Sequence, residues 1–165
     1  MRFSDKLQQS HNARMPFFVY VSATLTPKPT TAMYVPAHFQ ESDPKVLHDL
    51  IRQYPLGMLV THGTQGLDAN HIPFELEAGQ GKAGILRAHV ARANPVWQEV
   101  SDGDEVLVIF RAADAYISPN WYPSKHVLHN QVPTWNYVVV HAHGRITVRD
   151  DERFVRGVVA RLTRT

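Results

Sequence analysis

The chain has 165 residues, no cysteine and a formal net charge of only +2, from 17 basic and 15 acidic side chains. This length suits one compact domain, and the hydrophobic fraction of 44% is enough for a real core. The lack of cysteine excludes a disulfide scaffold, a thiolate nucleophile and a sulfur-based zinc site, and it fits the cytoplasmic location that we expect. The small net charge does not by itself indicate a nucleic-acid-binding protein.

Residues 1–32 differ in composition from the rest of the chain. They show no steady hydrophobic period and end in a Thr/Pro-rich stretch. Their longest apolar run, Phe17 to Leu25, is far shorter than the roughly 20 residues of a membrane helix. Pro16 opens this run and Thr-Pro-Lys-Pro follows it, which argues against a signal peptide. We predict that residues 1–32 are a poorly ordered N-terminal extension that folding does not need, and that residues 33–165 form the domain.

The remaining pattern predicts one clear helix and several short strands. Ser42 or Asp43 can cap the helix, Pro44 suits its first turn and Pro55 ends it. Short apolar runs separated by turn residues then predict strands at 56–61, 67–76, 85–90, 106–110 and 137–148. Because strands and helices do not alternate, we expect a mainly antiparallel α+β barrel with a few short helices. Residues 150–164 predict a terminal amphipathic helix.

Two patterns suggest chemistry that their contexts do not favour. Gly79, Gly81 and Gly84 spell a G-x-G-x-x-G sequence, but a strand-like run follows instead of a helix, which favours a turn over a dinucleotide site. His141 and His143 share one face of a predicted strand and could begin a metal site. No carboxylate completes that set, so ordinary packing is favoured and we predict no metal. No catalytic residue can be named.

The stretch from His89 to Trp97 places Arg92 and Asn94 just before a short predicted helix. A guanidinium group beside free backbone N–H groups is suited to hold a phosphate. A strand-to-helix turn capped by Asn94 explains the same residues equally well. Both interpretations stay open from the sequence alone.

A second stretch is unusually rich in aromatic, hydroxyl and amide side chains. It runs from Tyr116 to Lys125 and continues from Val132 to Tyr137. Such a patch can stack on a planar ring while short polar groups bond to the ring's edges. It could equally stack on nucleic-acid bases or form a rigid, proline-braced dimer interface.

Five ordered blocks of the sequence together resemble one family. They are Met33 to Phe39, His71 to Phe74, His89 to Trp97, Tyr116 to Tyr122 and Val132 to Tyr137. They are similar to the PaiB-type FMN-binding negative transcriptional regulators, from Met33 to about Leu162. The resemblance implies a split β-barrel of the pyridoxamine-phosphate-oxidase type and a homodimer that holds FMN near its interface. It also implies a chain that continues further, so we expect the domain to be truncated at its C-terminus.

The resemblance also implies a set of cofactor-binding residues. Arg92 and Asn94, with His89 nearby, would serve the phosphate and ribityl side of FMN. The ring or its rim, and the remainder of the pocket, would be formed by Tyr116, Ser118, Trp121, Tyr122, Lys125, Thr134, Trp135, Asn136 and Tyr137.

The function implied by the resemblance is negative transcriptional regulation with FMN as the bound cofactor. DNA is a partner by resemblance only, because the sequence contains no readable helix-turn-helix. The alternative is a flavin-dependent oxidoreductase or reductase on the same fold, in which the cofactor supplies the chemistry.

Overall fold

The structure is a computed structural model that describes residues 18–26, 34–81, 83–124 and 132–150. For Phe18 and Tyr20 only the backbone is described. Helix α1 spans Pro44–Gln53 and the short helix α2 spans Val96–Glu99, with single 3-10 turns at Ala37–Phe39 and Pro119–Trp121. The strands are β1 Phe18–Leu25, β2 Leu56–Gly63, β3 Gly66–Pro73, β4 Glu75–Glu77, β5 Ile85–Ala91, β6 Glu105–Ile117 and β7 Thr134–Arg149.

The described strands form one seven-stranded sheet in the order β3-β2-β6-β7-β1-β5-β4. All neighbouring strands in it run antiparallel. The mainly antiparallel α+β class is therefore confirmed. Within the described residues β3 and β4 are left as two unjoined edges, so the sheet is not a closed barrel and the split barrel is not confirmed.

The core lies on one face of the sheet because apolar side chains alternate along each strand. In β6, for example, Val106, Val108 and Phe110 are buried while the residues between them are less so. Helix α1 adds Ile51 to this core, and the Asp43 side chain caps the helix by accepting a hydrogen bond from the Lys45 N–H at 2.8 Å. The predicted helix and its cap are confirmed.

The glycines at 79–84 form the turn between β4 and β5, as predicted, and not a nucleotide loop. Gly81 and Gly84 have φ values of +71° and +108°, a region that L side chains rarely adopt. Strand β5 follows directly instead of a helix. The strand-helix junction that a dinucleotide site needs is therefore missing at this position.

Strand β1 corrects the prediction that residues 1–32 lie outside the core. It occupies the middle of the sheet, between β5 and β7. Val19, Val21 and Ala23 are each no more than 3% exposed. The sequence gave no local sign of this, because the partner strand β7 lies more than a hundred residues further on. The rest of 1–32 lies outside the described residues, as does 151–164 of the predicted C-terminal helix.

The distal ends of β6 and β7 extend beyond the packed sheet as an arm. The pairing register shifts between Arg111 and Asp114, which leaves one extra residue on β6, a β-bulge. Before the bulge the inward residues of β6 are buried; beyond it residues 113–116 are exposed, and so are residues 134–138 of β7. We call residues 113–122 and 134–138 the aromatic arm.

Candidate functional site

The first group of predicted site residues lies where β5 leads into α2; we call residues 89–97 the arginine turn. The Arg92 guanidinium pairs with the carboxylate of Asp150, just beyond the end of β7. It also lies 5.5 Å from the centre of the Trp97 ring, whose Nε1 donates to the Arg92 carbonyl oxygen at 3.1 Å. The side chain of Arg92 remains 40% exposed. This is an accessible cation, supported by an aromatic ring, that can receive an anion.

Asn94 caps the turn, as one of the two sequence interpretations expects. Its Oδ1 accepts a hydrogen bond from the Val96 N–H at 3.0 Å, and its Nδ2 donates to Asn70 Oδ1 at 2.7 Å. Asn70 in turn donates to Asp68 on β3 at 2.8 Å. A chain of side chains thus ties the arginine turn to β3. The capped turn is confirmed, and contact between Asn94 and FMN stays a prediction.

His89 lies on β5, on the face of the sheet away from the core. It is directly opposite Tyr20 of β1, which is itself opposite Arg149 of β7. Burial lowers the pKa of His89 from its ordinary value of 6.5. The ring is therefore neutral at physiological pH and can offer one donor and one acceptor.

The loop between α2 and β6 holds the end of β7 that carries Asp150. The Gly103 N–H donates to the Ile146 carbonyl oxygen at 2.8 Å, and Asp102 accepts hydrogen bonds from the Val148 N–H and the Arg149 guanidinium, both at 2.8 Å. The bond from the Val148 N–H, followed by that from Arg149, lowers the pKa of the Asp102 carboxyl. These bonds fix the position from which Asp150 reaches Arg92.

The second group of predicted residues forms the aromatic arm. Tyr116 is opposite Trp135 across the two strands, and their rings meet edge to face with centres 5.8 Å apart. Ser118 caps the 3-10 turn through its Oγ, which accepts a hydrogen bond from the Asn120 N–H at 3.2 Å. The large aromatic side chains of the arm are 41–66% exposed: Tyr116, Trp121, Tyr122, Trp135 and Tyr137. Thr134 and Asn136 are exposed as well.

The two groups lie at opposite ends of β7. Tyr137 is near the start of this strand and Asp150 just follows its end, so 13 residues separate them. At about 3.3 Å per residue the path along the strand is about 40 Å. That path is longer than one FMN molecule. The structure therefore brings Arg92, Asn94 and His89 together, and separately the aromatic residues. Lys125 lies outside the described residues.

Three residues of the arginine turn's surroundings were missed by the sequence analysis. Asp150 pairs with Arg92, while Asn70 and Asp68 brace Asn94. Their sequence separations from the turn, 58 residues for Asp150 and 24 for Asn70, carry no local signal that could have revealed them.

Metal binding and membrane crossing find no support in the described parts of the chain. His141 and His143 lie on the outer face of β7, opposite Ile109 and Leu107 of β6. Within the described ranges no three histidine or acidic side chains come close enough together to hold a metal ion. The helices among those residues are too short to cross a bilayer.

The chemistry of both groups suits a flavin mononucleotide: a cation for a phosphate and aromatic planes for a tricyclic ring. Comparison with known proteins agrees. Residues 33–165 match the family described as "Putative FMN-binding domain". The chain belongs to this family, and FMN is accordingly the cofactor assigned to it.

Similar proteins occur in yeast, bacteria and filamentous fungi. An uncharacterized protein of Saccharomyces cerevisiae is 34% identical over 154 residues, covering 79% of this chain and 88% of its own length. Protease synthase and sporulation protein PAI 2 of Bacillus subtilis is 28% identical over 120 residues, covering 73% of this chain and 55% of its own length. An uncharacterized protein of Emericella nidulans is 33% identical, with 73% and 59% covered. The chain thus spans little more than half of the latter two relatives. The predicted resemblance to the PaiB type is confirmed.

Proposed function

We propose that this protein binds FMN between two copies of the chain and acts as a negative transcriptional regulator of the PaiB type. In each site the arginine turn of one copy holds the phosphate, and the aromatic arm of the other covers the ring. Arg92 supplies the cation, with Asn94 and His89 on the ribityl side. The ring side is assigned to Tyr116, Ser118, Trp121, Tyr122, Lys125, Thr134, Trp135, Asn136 and Tyr137.

The separation of the two groups along β7 is the observation that carries this proposal. Arg92 is fixed beside Asp150 at one end of the strand, and Trp135 and Tyr137 are at the other end. One FMN molecule cannot contact both groups of a single copy. An antiparallel arrangement of two copies would bring each arm to the other's arginine turn, as the twofold symmetry of most homodimers allows.

Exposed apolar surface supports the second copy. Both strands of the aromatic arm are exposed, and a two-stranded ribbon without a covering layer is only marginally stable in water. The outer face of the sheet also carries apolar side chains at Met58, Val60, Leu107 and Ile109, which are adjacent across β2 and β6. Burying such surfaces between two chains is favourable.

The regulatory role rests on the name of one relative, since the Bacillus subtilis protein is named for protease synthesis and sporulation. A cytoplasmic location and a split barrel belong to the same proposal. Bound FMN would supply a redox-active ring, and the residues named here bind and orient it. The oxidoreductase alternative is kept as an outcome of experiment: bleaching of bound flavin by NAD(P)H would favour it, and salt-sensitive, sequence-selective DNA retention favours the regulator.

A first experiment tests the cofactor and the phosphate assignment together. Purified protein is mixed with FMN, freed of unbound flavin and examined by visible absorbance, alongside Arg92→Ala and Arg52→Ala. Arg52 is an exposed arginine on α1 that pairs with Asp49, so it serves as the matched control. We expect retained flavin in the wild type and the control, and weaker retention in Arg92→Ala. Equal retention by Arg92→Ala contradicts the phosphate assignment, and failure of the wild type to take up FMN contradicts FMN binding.

A mixing experiment tests the shared site. Arg92→Ala and Trp135→Ala are each expected to bind FMN poorly. In a random mixture about half of the dimers carry one copy of each variant, and one of their two sites then combines an intact arginine turn with an intact arm. Recovery of about a quarter of the wild-type sites is expected on this basis. No recovery, with dimers confirmed by sedimentation, contradicts the shared site.

A further inference from the structure

Strand β1 comes from outside the residues that match the family. The match begins at residue 33, whereas β1 spans Phe18–Leu25 and lies in the middle of the sheet. We infer that β1 is an added strand that binds in the groove between β5 and β7, completes the sheet and sets the geometry of the arginine turn. The last clause rests on the proposed function; the first two do not.

The order of the strands gives β1 a bridging role. In the described part of the chain, β4 and β5 are joined to the other strands by hydrogen bonding only through β1. Its register runs from Phe18 opposite Ala91 to Thr24 opposite Ile85 on one side. On the other side it runs from Tyr20 opposite Arg149 to Leu25 opposite Gly144. Without β1 the sheet would separate into a four-stranded part and a two-stranded part, each with a new unpaired edge.

Packing beneath β1 is as close as in the rest of the core. Val19 and Val21 are among the largest fully buried side chains of the described chain. Gly144 of β7 lies where the two backbones come closest: a Cβ there would be 2.8 Å from the Thr24 carbonyl oxygen and 3.3 Å from the Ala23 Cβ. The matched domain therefore has a glycine at the point where an added strand needs room.

The same strand spaces the two partners of the ion pair at the arginine turn. Phe18 is opposite Ala91, the residue before Arg92, and Tyr20 is opposite Arg149, the residue before Asp150. With β1 between them, the β5 and β7 backbones are two strand spacings apart, about 10 Å. The pair between Arg92 and Asp150 spans this gap beside the N-terminal end of β1. Loss of β1 would therefore displace Arg92 from the place where we propose that the phosphate binds.

Cross-linking tests the position of β1 in the full chain. Ser22 is opposite Thr147 of β7, and the natural chain contains no cysteine that could interfere. We expect Ser22→Cys combined with Thr147→Cys to form a disulfide within one chain after mild oxidation. Ser22→Cys with Val148→Cys is the control, because Val148 points to the opposite face of β7. Absence of a bond in the first pair, or a bond that links two chains, overturns the inference.

Paired substitutions test whether docking matters for folding and for the site. Val21 is 1% exposed and Thr24, on the other face of β1, is exposed. We expect Val21→Asp to lower the midpoint of thermal unfolding by more than about 5 °C and Thr24→Asp to change it little. FMN retention should fall at least tenfold in Val21→Asp at a temperature where it is still folded. Equal behaviour of the two variants in unfolding overturns the inference. If the wild type does not bind FMN, the proposed function fails, while the cross-link and the unfolding midpoints still decide the place of β1.

Discussion

Replacing Asp150 by asparagine should tighten FMN binding. In the structure the Asp150 carboxylate pairs with the guanidinium that we assign to the phosphate, so an incoming phosphate meets both a cation and a competing anion. Asparagine keeps the size of the side chain and can still accept a hydrogen bond from Arg92. Asp150→Asn therefore removes the negative charge while the orientation of Arg92 is retained.

The size of the effect follows from the exposure of the pair. The side chains of Arg92 and Asp150 are 40% and 46% exposed, so water screens their charges. A phosphate with about two negative charges, at about 5 Å from the carboxylate in a water-like dielectric, is repelled by about 1 kcal/mol or slightly more. Removing that repulsion should lower the dissociation constant about fivefold.

The assay is a titration of FMN fluorescence at two salt concentrations. The gain from Asp150→Asn should be largest in low salt and should shrink at about 1 M NaCl, where charges are screened beyond about 3 Å. Asp49→Asn is the control, because Asp49 forms a similar exposed pair with Arg52 on α1. Weaker or unchanged binding in Asp150→Asn would refute the competition between carboxylate and phosphate.

Two further predictions concern stability. Gly57→Ala should destabilise the protein by about 1–3 kcal/mol in urea unfolding, because a Cβ at this position would lie 2.9 Å from Phe110, Phe74 and Val108 side-chain atoms in the core. Gly79→Ala, with nothing within 4 Å, is the control and should change little. The lowered pKa of His89 means that the unfolded chain takes up a proton more readily, so stability should decrease as the pH falls below about 6.5. His89→Gln should reduce that pH dependence of urea unfolding; an unchanged dependence would contradict the assignment.

Local patterns were sufficient for most elements of the fold. The cap at Asp43, the stripe of α1 and the alternation along β2, β5 and β6 all depend on residues close together in sequence. The apolar run before Leu25 has the same alternation as a strand, but its basic and proline-rich surroundings favoured an extension. Its partners are set by long-range packing, and no short-range signal identifies them.

The candidate site was predictable as residue types and not as an arrangement. The sequence identified Arg92, Asn94 and the aromatic residues, because a cation, an amide and exposed rings are unusual beside turns. It could not show that Arg92 pairs with Asp150, or that the two groups are at opposite ends of one long strand. Those facts depend on how β7 crosses the sheet.

The place of β1 has a consequence for how the chain is made. Tyr20 leaves the ribosome 129 residues before its partner Arg149, and the four-stranded part of the sheet can pair only after β6 and β7 have been synthesised. At translation rates of about 5–20 residues per second, the β1 segment waits roughly 6–25 s before its groove exists. During that time the valines at 19 and 21 are exposed, and they are a natural binding site for a chaperone. Formation of the sheet is therefore expected to finish after synthesis, with the first strand made among the last to be placed.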